Sequence, residues 1–143
     1  MKLISQLNKQ QFHEVYLFLS QRSYWSKGIH QDKLRTALDN SLCFALVDGG
    51  QLIAFARVVS DYATFANLLD VFVLEPFRGK GLGKKLIDAV VTHPKLQGLR
   101  RFTLATHDAH DLYRQFGFEY PAQPEYLMER YDKGANIRSM HTF

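Results

Sequence analysis

Residues 69–86 read LDVFVLEPFRGKGLGKKL and join an apolar run to a glycine-rich turn that opens directly into an amphipathic pattern. The run 65–74 is strand-like, and the pattern at 82–91 has helical spacing. Between them, Gly79, Gly81 and Gly83 let the backbone turn tightly and come close to an anion. The first N–H groups of a helix beginning at Leu82 have no intrahelical partners and lie at the positive end of its dipole. A strand, a turn of this kind and a helix N-terminus together form a phosphate-binding design.

Two common phosphate loops do not fit the spacing. A nucleotide P-loop requires Ser or Thr after the GK pair, where this chain has Lys85. A dinucleotide fingerprint requires a third glycine where Lys84 stands. The pattern present is R-x-x-G-x-G, carried by Arg78, Gly81 and Gly83. It follows a strand of the form Asp-aliphatic-aromatic-Val at 70–73 and a loop proline, Pro76. A second segment, FTLATHDAHDLYRQFGFEY at 102–120, contains A-x-x-L-Y-x-x-x-G-F in Ala109, Leu112, Tyr113, Gly117 and Phe118.

In these two segments, their order and their separation of about thirty residues, the chain resembles the GNAT acetyltransferase superfamily. The resemblance covers residues 43–118 and implies acetyl-CoA as cosubstrate. Its pyrophosphate would be wrapped by Arg78, Gly79, Lys80, Gly81, Leu82, Gly83 and Lys84. Its pantetheine arm would add as a strand to the backbone of Val71, Phe72 and Val73. The implied fold is a single α/β domain with a mixed, mostly antiparallel twisted sheet, helices on both faces, and central strands that splay apart to admit the cofactor.

The remaining pattern agrees with that architecture. A helix is expected at 8–20, with Asn8 and Gln11 in capping-box spacing, and a shorter helix at 32–38. Strands at 42–47 and 52–59 are joined by Asp48-Gly49-Gly50 as a hairpin. A strand at 102–105 and a helix at 108–116 ended by Gly117 follow, then a last strand at 126–131. One domain spans 1–133, and 134–143 reads as a loose tail.

The 143 residues, 46% hydrophobic, suffice for one domain with a real core. No apolar run has the length of a membrane span, and the first residues lack the apolar stretch of a signal peptide, so a cytoplasmic protein without a membrane partner is expected. The state expected is a monomer or homodimer. The net charge of +4 includes Arg78, Lys80, Lys84 and Lys85 around the turn. A polyanionic cofactor accounts for these without a nucleic-acid partner.

Acetyl transfer needs a deprotonated amine, donors for the oxyanion and a proton for the departing thiolate. The oxyanion donor expected is a peptide N–H in 71–73. Resemblance to the family assigns Tyr113 as the general acid to the CoA thiolate, with a packing aromatic as the other reading. Asp70 is either a base facing the acceptor or a structural carboxylate paired with Arg57. Tyr24 and Trp25, in the loop after the first helix, would form a substrate-binding wall or cover the sheet. Arg57 and Arg22 could hold an acceptor carboxylate. Cys43, inside an apolar strand, reads as a core thiol rather than an acyl carrier. His107, Asp108, His110 and Asp111 lack a further ligand cluster, so no metal is expected. The function expected is transfer of an acetyl group from acetyl-CoA to a primary amine of a small molecule in a ternary complex. A non-catalytic acetyl-CoA-binding module and acetylation of a protein amine are the alternatives.

Overall fold

The computed structural model describes residues 1–140. Its centre is a five-stranded sheet in the order β1 (Lys2–Ile4), β2 (Leu42–Asp48), β3 (Gln51–Ser60), β4 (Phe65–Val73) and β5 (Arg101–Leu104). All neighbours are antiparallel except β4 and β5, which run parallel. The helices are α1 (Lys9–Gln21), α2 (Gln31–Asp39), α3 (Leu82–Val91) and α4 (His110–Arg114).

Two hydrophobic clusters flank the sheet. On one face, Phe12, Val15, Phe18 and Leu19 of α1 and Leu34 and Leu38 of α2 pack on Cys43, Phe55 and Phe72. On the other, Leu86, Ile87 and Val90 of α3 and Tyr113 of α4 pack on Phe44, Ala56, Val58 and Leu68. Helix α1 begins with the expected capping box: the Asn8 side chain accepts from Gln11 N–H at 2.8 Å, and Gln11 Oε1 accepts from Asn8 N–H at 2.9 Å. Reciprocal satisfaction of two otherwise orphaned donors fixes where α1 starts.

One irregularity in β4 governs the site. Phe55 pairs with Phe72 and Arg57 with Leu69, so the two residues Asp70 and Val71 stand opposite Ala56 alone. This is a β-bulge, and Asp70 occupies it with φ of 56°. An extra residue reverses the side-chain alternation. Ala66 and Leu68 bury against α3 and α4, whereas Phe72, of the same parity, buries against α1. Phe72 stacks there on Phe18, with ring centroids 4.0 Å apart.

The expected splay is present as a pairing that stops. β5 pairs with β4 only from Phe65 opposite Arg101 to Leu68 opposite Leu104. β4 continues to Val73 without a neighbour on that side. The N–H of Leu74 donates to Ile53 O of β3 at 2.9 Å. By the two-residue period of a strand, Phe72 also points its backbone groups at β3, while Val71 and Val73 point theirs into the open gap.

One expectation needs correction. Residues 126–131 form no strand: a single 3-10 turn, Pro124–Tyr126, leads into irregular chain. Leu127 and Met128 are both exposed, so no alternate face is buried, and Pro121 and Pro124 break the approach to the sheet edge. Residues 134–140, read from sequence as part of a tail, make contacts with the start of α2. Ala135–Ile137 form a 3-10 turn whose Ala135 O accepts from Lys33 Nζ at 2.5 Å, and Asn136 O accepts from His30 N at 2.8 Å. The rest of that segment, 141–143, lies outside the described residues. The short strand β1 was not anticipated, three residues being too few to show a period.

Candidate functional site

The open edge of β4, the end of β5, α4 and the loop after α1 enclose a cleft of about 590 Å³ that passes between the splayed strands. Its walls are Leu68 to Val71, Thr103 to Ala109, Tyr113, Tyr24 and Trp25. Thus Asp70, Val71, Tyr113, Tyr24 and Trp25, nominated from sequence, come together around one space. Arg57 stands outside it, behind Asp70.

The glycine turn lies at the far end of β4. Gly79 and Gly81 have φ of 79° and 75°, and Gly81 is the N-cap of α3. A residue with a Cβ would be strained at either position. The earliest helical bond is Lys85 N–H to Gly81 O at 3.1 Å, which leaves the N–H groups of Leu82, Gly83 and Lys84 free to receive an anion. Gly83 abuts both the strand and α4: a Cβ there would lie 3.9 Å from Val73 Cγ2 and 4.0 Å from Leu112 Cδ2. Lys80, Lys84 and Lys85 are exposed and, among the described residues, make no ion pair. Arg78 has a second task. Its Nε donates to Val73 O at 2.8 Å and so ties the turn to the open end of β4.

Tyr113 is placed by the ending of α4. Gly117, with φ of 89°, donates its N–H to Arg114 O at 3.1 Å, and Phe118 N–H donates to Tyr113 O at 3.2 Å. This is the paired bonding of a Schellman cap, whose accompanying hydrophobic contact is here the packing of Phe118 on Tyr113, centroids 6.0 Å apart. The L-Y-x-x-x-G-F pattern is therefore a device for fixing one tyrosine at the cleft wall. Its ring is buried, and burial first, with the charges of Tyr24 and Asp108 second, pushes the phenol up to about 12. Among the described residues the hydroxyl has no hydrogen-bond partner.

Asp70 is held on both oxygens. Arg57 Nε donates to Oδ2 at 2.5 Å and Trp25 Nε1 to Oδ1 at 2.8 Å, with the Asp70 side chain 5% exposed. Arg57 also reaches Ser41 Oγ at 3.2 Å. The structural pairing considered from sequence is thus present, and it gains a partner that sequence did not suggest: Asp70 orients the indole of Trp25. Tyr24 stands against Trp25 at 5.0 Å and against His107 at 5.5 Å, both edge-on. His107 and Asp108, weighed from sequence only as metal ligands, line the cleft. Their position immediately after the carboxyl end of β5, where α/β ligands gather, was the available signal. No group of three or more metal-ligating side chains exists among the described residues. No helix there is long and apolar enough to cross a membrane.

The whole arrangement, a splayed parallel pair with a glycine turn and a free helix N-terminus at one end, coincides with known proteins. The chain matches the Acetyltransferase (GNAT) family model over residues 3–118. The crystal structure of a Xanthomonas campestris pv. campestris protein described as a GNAT acetyltransferase is 47% identical, with TM-score 0.88 over 96% of this chain and 99% of that one. A Clostridium acetobutylicum acetyltransferase solved with acetyl-CoA shares the fold at 14% identity, with TM-score 0.62 over 91% and 96% of the two chains. Histone acetyltransferase TAP1 of Glycine max is 35% identical over 106 residues, 65% of this chain and 45% of that protein. The chain spans about half the length of the curated relatives it matches. This chain belongs to the GNAT acetyltransferase family.

Proposed function

We propose that the protein transfers an acetyl group from acetyl-CoA to a primary amine of a small molecule, by direct attack within a ternary complex. The observation that carries this is the unpaired edge of β4, which meets Tyr113 across the gap and runs into the N-terminus of α3. Free N–H groups at 82–84, backed by Lys80 and Lys84, suit a pyrophosphate, and the edge groups of Val71 and Val73 suit the amides of a pantetheine arm. Acetyl-CoA supplies the activated thioester.

The protein's own groups supply the rest. The Val71 N–H, preorganised by the bulge, faces the gap where an oxyanion would develop. Amine nitrogen bonds to the thioester carbon as the carbon–sulfur bond breaks. The amine proton passes to water or to a carboxylate of the cleft, and the phenol of Tyr113 donates its proton to the sulfur and regains one from solvent. Asp70 positions the Trp25 wall; a base role would require it to release part of that pairing. Direct transfer is favoured over an acyl-enzyme because Cys43 lies on the α1 face, donates to Leu38 O at 3.7 Å, and has its thiol pushed up to about 11 by burial.

The test is initial-rate thiol release with both acetyl-CoA and an amine varied. Intersecting double-reciprocal lines for a small amine are expected. Release only with a peptide amine would reassign the acceptor, and acetyl-CoA binding without release for either would favour a non-catalytic module.

A further inference from the structure

We infer that the acceptor is a diamine or longer polyamine, whose second ammonium is held between Asp108 and the rings of Tyr24 and Trp25. This rests on the acetyl-transfer reading and narrows its substrate class. The argument begins from charge. None of the residues lining the cleft is Lys or Arg, and His107 is the single lining side chain able to carry positive charge. The two arginines that could have received an acceptor carboxylate are already engaged, Arg57 by Asp70 at 2.5 Å and Arg22 by Glu75 at 2.8 Å.

Asp108 is in the opposite condition. It lines the cleft, is exposed, and among the described residues has no ion pair or hydrogen bond. Tyr113, at the reacting end of the space, lines the same cleft. Tyr24 and His107 meet edge-on there, and Trp25 cannot swing away because its Nε1 is bound to Asp70. A free carboxylate lining the same cleft as the rings of Tyr24 and Trp25 attracts an ammonium by Coulomb and cation–π terms. An amino-acid carboxylate at the same place would meet Asp108 with no cation but His107 to compensate it. The free lysines, Lys80, Lys84 and Lys85, stand at the other end of β4, so the molecule separates a cationic cofactor turn from an acidic, aromatic acceptor mouth.

Three probes of one length separate the possibilities: 1,4-diaminobutane, butylamine and 4-aminobutyrate carry a terminal cation, methyl and anion. Binding to the CoA-saturated protein is read from the fluorescence of Trp25, the chain's only tryptophan, and kcat/KM from thiol release. The diamine should exceed butylamine by about tenfold, an exposed ion pair and a cation–π contact each contributing a factor of a few. 4-Aminobutyrate should be weakest, and in Asp108→Asn the preference of diamine over butylamine should collapse. Equal or tighter binding of 4-aminobutyrate, or an undiminished preference in Asp108→Asn, overturns the inference. Calorimetric binding of acetyl-CoA with a flat response to all three probes overturns the acceptor class alone, whereas failure to bind acetyl-CoA removes the reading beneath it.

Discussion

In the proposed mechanism Tyr113 must hold a proton when the thiolate departs, and burial favours its neutral form. With the phenol raised to about 12, the neutral form persists as pH rises through the physiological range and is lost only near that value. A basic limb in the rate profile near neutral pH therefore has another origin than this group. Tyr113→Phe should lower kcat roughly a hundredfold, the ordinary scale of a general acid, and leave the acetyl-CoA dissociation constant nearly unchanged. Thiol-release kinetics and calorimetry on the variant check both; an undiminished kcat would remove Tyr113 as the acid. Its candidacy was legible because a short motif surrounds it, while what fixes its place, a Schellman cap with Phe118 as its hydrophobic partner, emerged only from coordinates. Asp70 was legible as an acid in an apolar strand. Its left-handed backbone was not, since Asp tolerates that region without announcing it, and neither was the bond to Trp25, 45 residues away.

At the scale of elements, the glycine turn, the α1 capping box and the β2–β3 hairpin were readable because each rests on residues adjacent in sequence. The strand expected at 126–131 failed because strands depend on a partner, and local pattern cannot say whether one is available. The contacts of 134–140 were not legible for the same reason: their partners, His30 and Lys33, lie about a hundred residues earlier. The turn itself gives a prediction that separates folding from binding. Gly83 occupies the first turn of α3, where a carboxylate complements the helix dipole, and a Cβ there meets only ordinary contacts. Gly83→Asp should therefore keep its thermal midpoint within a few degrees of the parent. It should lose acetyl-CoA affinity by about a hundredfold or more, because its charge opposes the pyrophosphate. Thermal unfolding and calorimetry on the same sample decide it, and normal affinity would displace the pyrophosphate from this turn.

For the whole molecule, the proposed function rests on a sheet that is left incomplete. α1 holds Phe72 on one face, α3 and α4 hold Leu68 on the other, and the bulge between these residues lets β4 face two cores while its far edge remains open. Parity in the sequence could not reveal this reversal, since Leu68, Asp70 and Phe72 read as one face until an extra residue is counted. The same architecture buries Cys43 away from the cleft, so Cys43→Ala should retain kcat within about twofold; a complete loss of turnover in a folded variant would restore a covalent route. The most direct test of the central claim is a calorimetric titration of the intact chain with acetyl-CoA. The open edge and free helix N-terminus predict saturable binding at one site per chain, and an absence of binding heat across temperatures would contradict it.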